Sequence, residues 1–166
     1  MKLHNIVNGI QLALRASVGA GVSIGLAQLF RLEYPIYALV AAVLVTDFSP
    51  AQTSKLGVQR IGATVVGAVC GAIIRLGLAP DPWTIGLSIL VAMSICHVAR
   101  LAGGAKVAGY IAGIVVLSHG DQPWVYAFYR LIETALGIGV AWIISFVPRL
   151  IRMEDPGMAD PEKKSP

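Results

Sequence analysis

Residues 59–72 read QRIGATVVGAVCGA and place Arg60 at the start of an apolar segment that carries no other charge. The segment also contains three glycines, each of which costs a helix in water about 1 kcal/mol relative to alanine. An arginine that faced lipid would be costly too. The environment that suits both features is the inside of a membrane helix bundle, where small residues allow close docking and the arginine faces protein.

The composition of the whole chain favours the same environment. Of its 166 residues, 56% are hydrophobic and only 13% are charged, whereas soluble domains carry about 25% charged residues. A soluble fold of this composition would leave a large apolar surface in water. Because the apolar residues occur in long blocks, we predict an all-α integral membrane protein with the lipid bilayer as its solvent.

Six apolar blocks follow one another along the chain, separated by short polar or proline-containing joints. They are residues 12–30, 36–48, 56–78, 83–99, 105–117 and 124–147. Four of them approach the roughly 20 residues that a spanning helix needs, whereas the second and fifth are shorter. A four-helix arrangement is the alternative, but the joints are too brief to hide non-spanning segments. We therefore predict six transmembrane helices.

The first 150 residues are expected to form one membrane domain, and residues 151–166 a polar, proline-rich and disordered cytoplasmic tail. The first block is expected to stay as an uncleaved helix, because Arg15 interrupts it and further spans follow. With the N-terminus inside, ten basic residues, Arg15 among them, fall on the cytoplasmic side and three fall outside. Both termini are therefore expected in the cytoplasm.

Small residues line one face of the third block. On a helix, Ala63, Thr64, Gly67 and Gly71 share a face with Arg60. Such faces let helix backbones approach closely in lipid. The predicted helix-packing residues are Ala63, Gly67, Gly71, Gly109, Gly113 and Gly137. A similar face on the fifth block is expected to dock a second copy of the chain, at Ala105, Ala108, Gly109, Ala112 and Gly113.

The sixth block repeats this pattern, because Arg130 shares its helix face with Glu133, Thr134 and Gly137. Three pairs stand 70 positions apart: Arg60 and Arg130, Thr64 and Thr134, and Gly67 and Gly137. An offset of three spans reverses direction, so the pattern indicates a 3+3 inverted repeat, which many transporters use. Chance similarity between apolar helices is the alternative.

These segments resemble a known family. The stretches ALRASVGAGVSIGLAQLF (13–30), YPIYALVAAVLVTDFSPAQTSKLGVQRIGATVVGAVCGAII (34–74) and RLIETALGIGVAW (130–142) are similar to the membrane half of the fusaric acid resistance and aromatic acid exporter (FUSC-like) superfamily. The resemblance implies a bacterial inner-membrane exporter of aromatic carboxylates or similar organic anions, driven by an ion gradient. Larger members have a second membrane half and a cytoplasmic region, so a lone half is expected to form a homodimer or higher homo-oligomer.

Two classes of function follow from these residues. The first is a small transporter or half-transporter for organic anions. Arg60 and Arg130 would bind the substrate carboxylate, because a planar guanidinium offers two parallel hydrogen bonds. Asp47 or Glu133 would then take up the coupled proton. The alternative is a non-transporting scaffold or accessory subunit that packs against partner helices, with Arg60 as a topology anchor and Arg130 and Glu133 neutralising each other.

Other classes of function find little support in the sequence. Cys70, Cys96 and three scattered histidines lack metal-ligand spacing, so neither a metal nor a cofactor is expected. No nucleophile or base motif indicates an enzyme, and no basic stripe interleaved with aromatics indicates nucleic-acid binding. Aromatic residues near the joints are expected to form a belt at the outer membrane interface: Tyr34, Tyr37, Trp83, Trp124 and Tyr126.

Overall fold

The structure is a computed structural model that describes residues 2–118 and 122–147. Its elements are α1 (Lys2–Leu29), α2 (Ile36–Val45), α3 (Pro50–Gly77), α4 (Pro82–Val98), a 3-10 turn (Ala102–Gly104), α5 (Ala105–Ser118) and α6 (Pro123–Ser145). The described residues contain no strand, which confirms the prediction of an all-α protein with six helices. The predicted tail, residues 151–166, lies outside the described residues.

Three helices are long and apolar enough to cross a membrane. They are Ile6–Leu29 in α1, Pro50–Gly77 and Pro123–Ser145, with 24, 28 and 23 residues. At about 1.5 Å per residue, each exceeds the roughly 30 Å of a bilayer's hydrocarbon core. The other three, α2, α4 and α5, are shorter apolar helices. The chain is thus a helical membrane protein, and its six crossings stay a prediction.

The helix ends follow from local capping chemistry. Pro50 opens α3 six residues before the predicted block, because proline suits the first helical turn, where no backbone N–H is needed. At the start of α4, the Asp81 carboxylate accepts a hydrogen bond from the Thr84 backbone N–H at 2.7 Å. That hydrogen bond holds the pKa of Asp81 below its usual value. The second helix ends at Val45, because Thr46 adopts an extended backbone.

Glycines bring two pairs of helices into backbone contact. A Cβ atom added to Gly67 in α3 would lie 2.4 Å from the Ala108 carbonyl oxygen in α5. A Cβ atom added to Gly137 in α6 would lie 2.1 Å from the Ala38 carbonyl oxygen in α2. Both distances are far below van der Waals contact, so only glycine fits at these two positions. The two contacts occupy equivalent positions in the two halves, because Gly137 lies 70 residues after Gly67 and Ala108 lies 70 residues after Ala38.

The helix neighbours correspond between the two halves in the same way. Helix α1 packs against α2 and α6, and α4 packs against α5 and α3. Helix α3 packs against α5, and α6 packs against α2, so the third helix of each three-helix half contacts the second helix of the other half. Helices α3 and α6 also pack against each other. This arrangement supports a repeat of three helices whose halves interlock.

The fifth helix lies between α3 and α4, which cover its small-residue face. Ala108 and Ala112 are fully buried, and a Cβ atom added to Gly109 would lie 3.0 Å from Cγ of Met93 in α4. The face that we expected to dock a second copy is therefore occupied within the chain. The sequence pattern could not distinguish packing against a neighbouring helix from packing against a partner.

Candidate functional site

The two predicted substrate-binding arginines lie inside the bundle. Arg60 in α3 is 5% exposed and Arg130 in α6 is 1% exposed. Arg60 comes about 15 Å along its helix from Pro50, and Arg130 about 10 Å along its helix from Pro123. Because both side chains are buried among helices, neither guanidinium reaches the surface of the described chain, where an anchoring arginine would extend.

Tyrosines contact both guanidinium groups. Nη2 of Arg60 donates a hydrogen bond to the Tyr110 hydroxyl at 3.0 Å. Nη1 of Arg130 donates to the Tyr126 hydroxyl at 3.3 Å. The Arg130 guanidinium carbon lies 3.3 Å from the centroid of the Tyr37 ring and 5.3 Å from that of Tyr110. Together with Tyr34, these residues form what we call the Arg–Tyr cluster: Arg60, Arg130, Tyr34, Tyr37, Tyr110 and Tyr126.

The rings of this cluster pack edge to face. The centroid of Tyr126 lies 5.4 Å from that of Tyr34 and 6.1 Å from that of Tyr37, with interplanar angles of 74° and 85°. The Tyr126 hydroxyl also donates to the Tyr37 hydroxyl at 2.9 Å. The expected aromatic belt is therefore wrong for Tyr126, which is 2% exposed. Its ring faces α2 because α2 packs against α6, and single-helix patterns do not show that contact.

Glu133, one turn after Arg130, is completely buried. Its Oε1 atom accepts a hydrogen bond from the Tyr34 backbone N–H at 2.6 Å, which ties the joint between α1 and α2 to α6. Within the described residues, its Oε2 atom has no hydrogen-bond partner. In that joint, burial and the nearby Glu33 carboxylate raise the pKa of the Tyr34 phenol. The phenol therefore stays protonated at neutral pH.

Asp47, the other predicted proton-coupling residue, lies between α2 and α3 and stabilises a local turn. Its Oδ1 atom accepts a hydrogen bond from the Phe48 backbone N–H at 2.7 Å, and its own N–H donates to Thr53 Oγ1 at 3.1 Å. It follows the C-terminal end of α2, about 15 Å from Tyr37 at the other end. The structure thus groups Arg60, Arg130 and Glu133 but leaves Asp47 apart.

The charges of the Arg–Tyr cluster are unbalanced. Two guanidinium groups meet four tyrosine side chains, and the nearest acid on α6 is Glu133. In the part of the chain that the structure describes, the Nε atoms of Arg60 and Arg130 lack hydrogen-bond partners. A buried guanidinium whose N–H donors are not all used carries a desolvation cost in a low-dielectric interior. A small anion would supply the missing acceptors, and tyrosine rings offer apolar faces for an aromatic group.

A bundle of membrane helices that buries two arginines has the kind of interior charge that marks substrate or ion pathways in membrane proteins. The sequence comparisons agree with this description. The chain belongs to the aromatic acid exporter family, because the profile of Aromatic acid exporter family member 1 matches residues 11–147. This membership confirms the resemblance that the sequence motifs indicate and supports a role in transport.

Similar proteins come from several bacteria. The UPF0421 protein YgaE of Bacillus subtilis is 23% identical over 133 residues, which are 80% of this chain and 38% of the relative. The UPF0421 protein BH2644 of Halalkalibacterium halodurans is 25% identical over 113 residues, 68% of this chain and 32% of the relative. The Uncharacterized transporter YdhK of Escherichia coli K12 is 23% identical over 137 residues, 76% of this chain and 20% of the relative. No solved structure matches the chain.

Proposed function

We propose that the chain forms the membrane part of an exporter of small aromatic carboxylates, with the Arg–Tyr cluster as its binding site. The observation that carries this proposal is the pairing of two buried arginines, Arg60 and Arg130, with tyrosines instead of carboxylates. Arg60 and Arg130 bind the carboxylate, and the tyrosine rings flank the aromatic group. The chain spans between a fifth and about two fifths of the relatives named above, so the activity of the whole assembly is part of the proposal.

The affinity for a carboxylate comes from interactions with guanidinium groups that are shielded from water. A hydrogen bond to a charged group contributes about 1.5–3 kcal/mol, and a desolvated cation–π contact about 2 kcal/mol. The carboxylate replaces tyrosine hydroxyls as the acceptor of the guanidinium hydrogen bonds. Because Arg60 is 5% and Arg130 1% exposed, the described conformation is closed over both guanidinium groups, while the Tyr110 side chain is 37% exposed. Transport therefore requires a second conformation that opens the cluster to solvent.

We assign proton coupling to Glu133 in preference to Asp47. Glu133 is one helical turn from Arg130, and its Oε1 atom holds the α1–α2 joint through Tyr34. A proton on Glu133 removes its negative charge and so changes how strongly the neighbouring arginine attracts a substrate anion. Asp47 lies outside the cluster and its carboxylate caps a turn. We also propose that both termini are cytoplasmic and that the chain works as a homo-oligomer.

A scaffold or accessory subunit is the second candidate. The close glycine contacts at Gly67 and Gly137 favour it, because they describe a tightly packed bundle. In that function the Arg–Tyr cluster would only hold α2, α3, α5 and α6 together. The two functions differ in whether the cluster accepts a ligand, so ligand binding separates them.

The test is a binding measurement on the purified chain in detergent with three matched ligands. Benzoate carries the ring and the charge, benzamide lacks the charge, and cyclohexanecarboxylate lacks the aromatic ring. We expect benzoate to raise the unfolding temperature most and benzamide least, because the guanidinium groups require an anion. Equal, negligible shifts with all three ligands would contradict the exporter proposal and favour the scaffold.

A further inference from the structure

A third buried arginine lies away from the Arg–Tyr cluster. Arg15 in α1 is 8% exposed. Its Nη2 atom donates a hydrogen bond to the backbone carbonyl of Val147, just beyond the end of α6. Its guanidinium carbon lies 5.3 Å from the centroid of the Phe48 ring, beyond the end of α2. Within the described residues, its Nη1 atom has no hydrogen-bond partner although it is buried.

An apolar groove of about 160 Å³ adjoins this arginine between α1 and α6. Its lining residues are Gln11, Leu14, Arg15, Val18, Ile144 and Val147. Leu14 and Val18 are 54% and 56% exposed, so the groove opens on the outer surface of the bundle. In a membrane protein that surface faces lipid. The groove thus combines hydrocarbon walls with one cationic group that still has a hydrogen bond to donate.

We propose that this groove binds an anionic phospholipid. The phosphate accepts a hydrogen bond from Nη1 of Arg15, and an acyl chain lies along Leu14 and Val18. In the predicted topology, Arg15 belongs to the cytoplasmic side of the membrane, where basic pockets between membrane helices bind anionic headgroups. The bound lipid would connect α1 to the end of α6. The inference does not depend on transport, because Arg15 lies outside the Arg–Tyr cluster.

Two features of the groove select a phospholipid over a soluble anion. Free inorganic phosphate would satisfy Nη1 of Arg15 but would leave the apolar walls uncovered. A neutral lipid chain would cover the walls but would leave the buried guanidinium with its unused donor. A phospholipid satisfies both, since its phosphate accepts a charge-assisted hydrogen bond. Net negative charge is favoured, because the quaternary ammonium of a zwitterionic phosphatidylcholine would be repelled by the Arg15 guanidinium.

The proposal is tested by native mass spectrometry of the full chain, taken from nanodiscs that contain equal amounts of phosphatidylglycerol and phosphatidylcholine. We expect the wild type to retain phosphatidylglycerol preferentially. Arg15→Gln should lower that retention about tenfold, the factor expected from losing one hydrogen bond to a charged group. Arg100→Gln is the matched control, since it removes the same charge from an exposed arginine. Equal retention by the two variants, or no preference in the wild type, would overturn the proposal.

A second variant tests the groove without removing the arginine. Arg15→Gln also removes the hydrogen bond to Val147 and could weaken folding. Val18→Trp fills the groove from an exposed position and keeps Arg15. We expect it to lower phosphatidylglycerol retention several-fold, because the acyl chain loses its surface. Wild-type retention by Val18→Trp would show that the lipid does not occupy this groove.

Discussion

Nη2 of Arg60 in α3 donates a hydrogen bond to the hydroxyl of Tyr110 in α5 at 3.0 Å, 50 residues later in the chain. The ring of the same tyrosine lies 5.3 Å from the guanidinium carbon of Arg130 in α6. Tyr110 therefore lies between two arginines that occupy equivalent positions in the two halves. A site with two guanidinium groups and tyrosine neighbours is suited to an anion, which is why we assign substrate binding to it.

Tyr110→Phe removes the hydroxyl that accepts the hydrogen bond from Arg60 and keeps the ring that lies near Arg130. We expect the free energy of unfolding to fall by about 1–3 kcal/mol, because buried Arg60 loses its acceptor. Benzoate should then stabilise the variant more than the wild type, since its carboxylate replaces that acceptor. Thermal unfolding in detergent, with and without benzoate, measures both effects. Tyr129→Phe is the control, because the Tyr129 ring packs against Phe128. Identical benzoate shifts in wild type and Tyr110→Phe would argue against a carboxylate at Arg60.

Gly137→Ala tests the backbone contact between α6 and α2. Its new Cβ would lie 2.1 Å from the Ala38 carbonyl oxygen, so the helices must separate. Overpacking of this kind typically costs about 1–3 kcal/mol of folding free energy. Gly139→Ala, two residues further along the same helix, has no atom within 4 Å of the added Cβ and should leave stability unchanged or improved. The pair is compared by thermal unfolding, and equal stability would mean that this close contact is absent.

Gly67→Ala should behave like Gly137→Ala. Its Cβ would lie 2.4 Å from the Ala108 carbonyl oxygen, in the equivalent contact between α3 and α5. We expect a loss of similar size, about 1–3 kcal/mol, because the same rigid backbone group is displaced. The measurement is the same thermal unfolding series. A large loss in one variant and none in the other would contradict the equivalence of the two halves.

Glu133→Gln tests proton coupling. Its amide oxygen can still accept the hydrogen bond from the Tyr34 N–H, which Glu133 Oε1 accepts at 2.6 Å, but the side chain cannot ionise. We expect the variant to fold normally and its efflux of an aromatic acid to lose the pH dependence of the wild type. Glu33→Gln, in the exposed joint nearby, is the control. If Glu133→Gln kept the wild-type pH response, Asp47 would become the next candidate.

Asp81 provides a pH test of the fold. The hydrogen bond from the Thr84 N–H lowers the pKa of this carboxyl in the folded state. Its contribution to stability is therefore present above the unfolded-state pKa, about 3.9, and is lost as the pH falls through the lower folded-state value. Asp81→Asn still caps α4 but cannot titrate. We expect the variant to match the wild type near pH 7 and to lose less stability on acidification. Parallel melting curves down to pH 3 would contradict this role.

The order and number of helices could be predicted from apolar blocks, but their ends could not. The second block was expected to run to residue 48, yet α2 ends at Val45, because Thr46 and the turn at Asp47 leave the helical conformation. Conversely, α3 extends six residues before its apolar block, with a polar first turn whose side chains are exposed at Gln52 and Ser54. Hydropathy locates the lipid-facing part of a helix, whereas capping decides where the helix stops.

The arginines of the site were predictable because each begins a small-residue face on its own helix. Their tyrosine partners were not, since Tyr34, Tyr37, Tyr110 and Tyr126 come from three helices and one joint. Periodicity describes one helix at a time and does not show which faces meet. The signal that could have found Tyr110 is its position next to Gly109, on a helix whose small residues indicate close packing against neighbouring helices.

Recognition of a carboxylate by Arg60 is tested most directly by the efflux of an aromatic acid from cells that express Arg60→Lys. Lysine keeps the charge but lacks the planar fork that forms two parallel hydrogen bonds. We predict that efflux falls at least about tenfold relative to wild type at matched expression, while Arg75→Lys on the same helix remains at the wild-type rate. Efflux by Arg60→Lys at the wild-type rate would contradict the claim and leave the arginine a structural role.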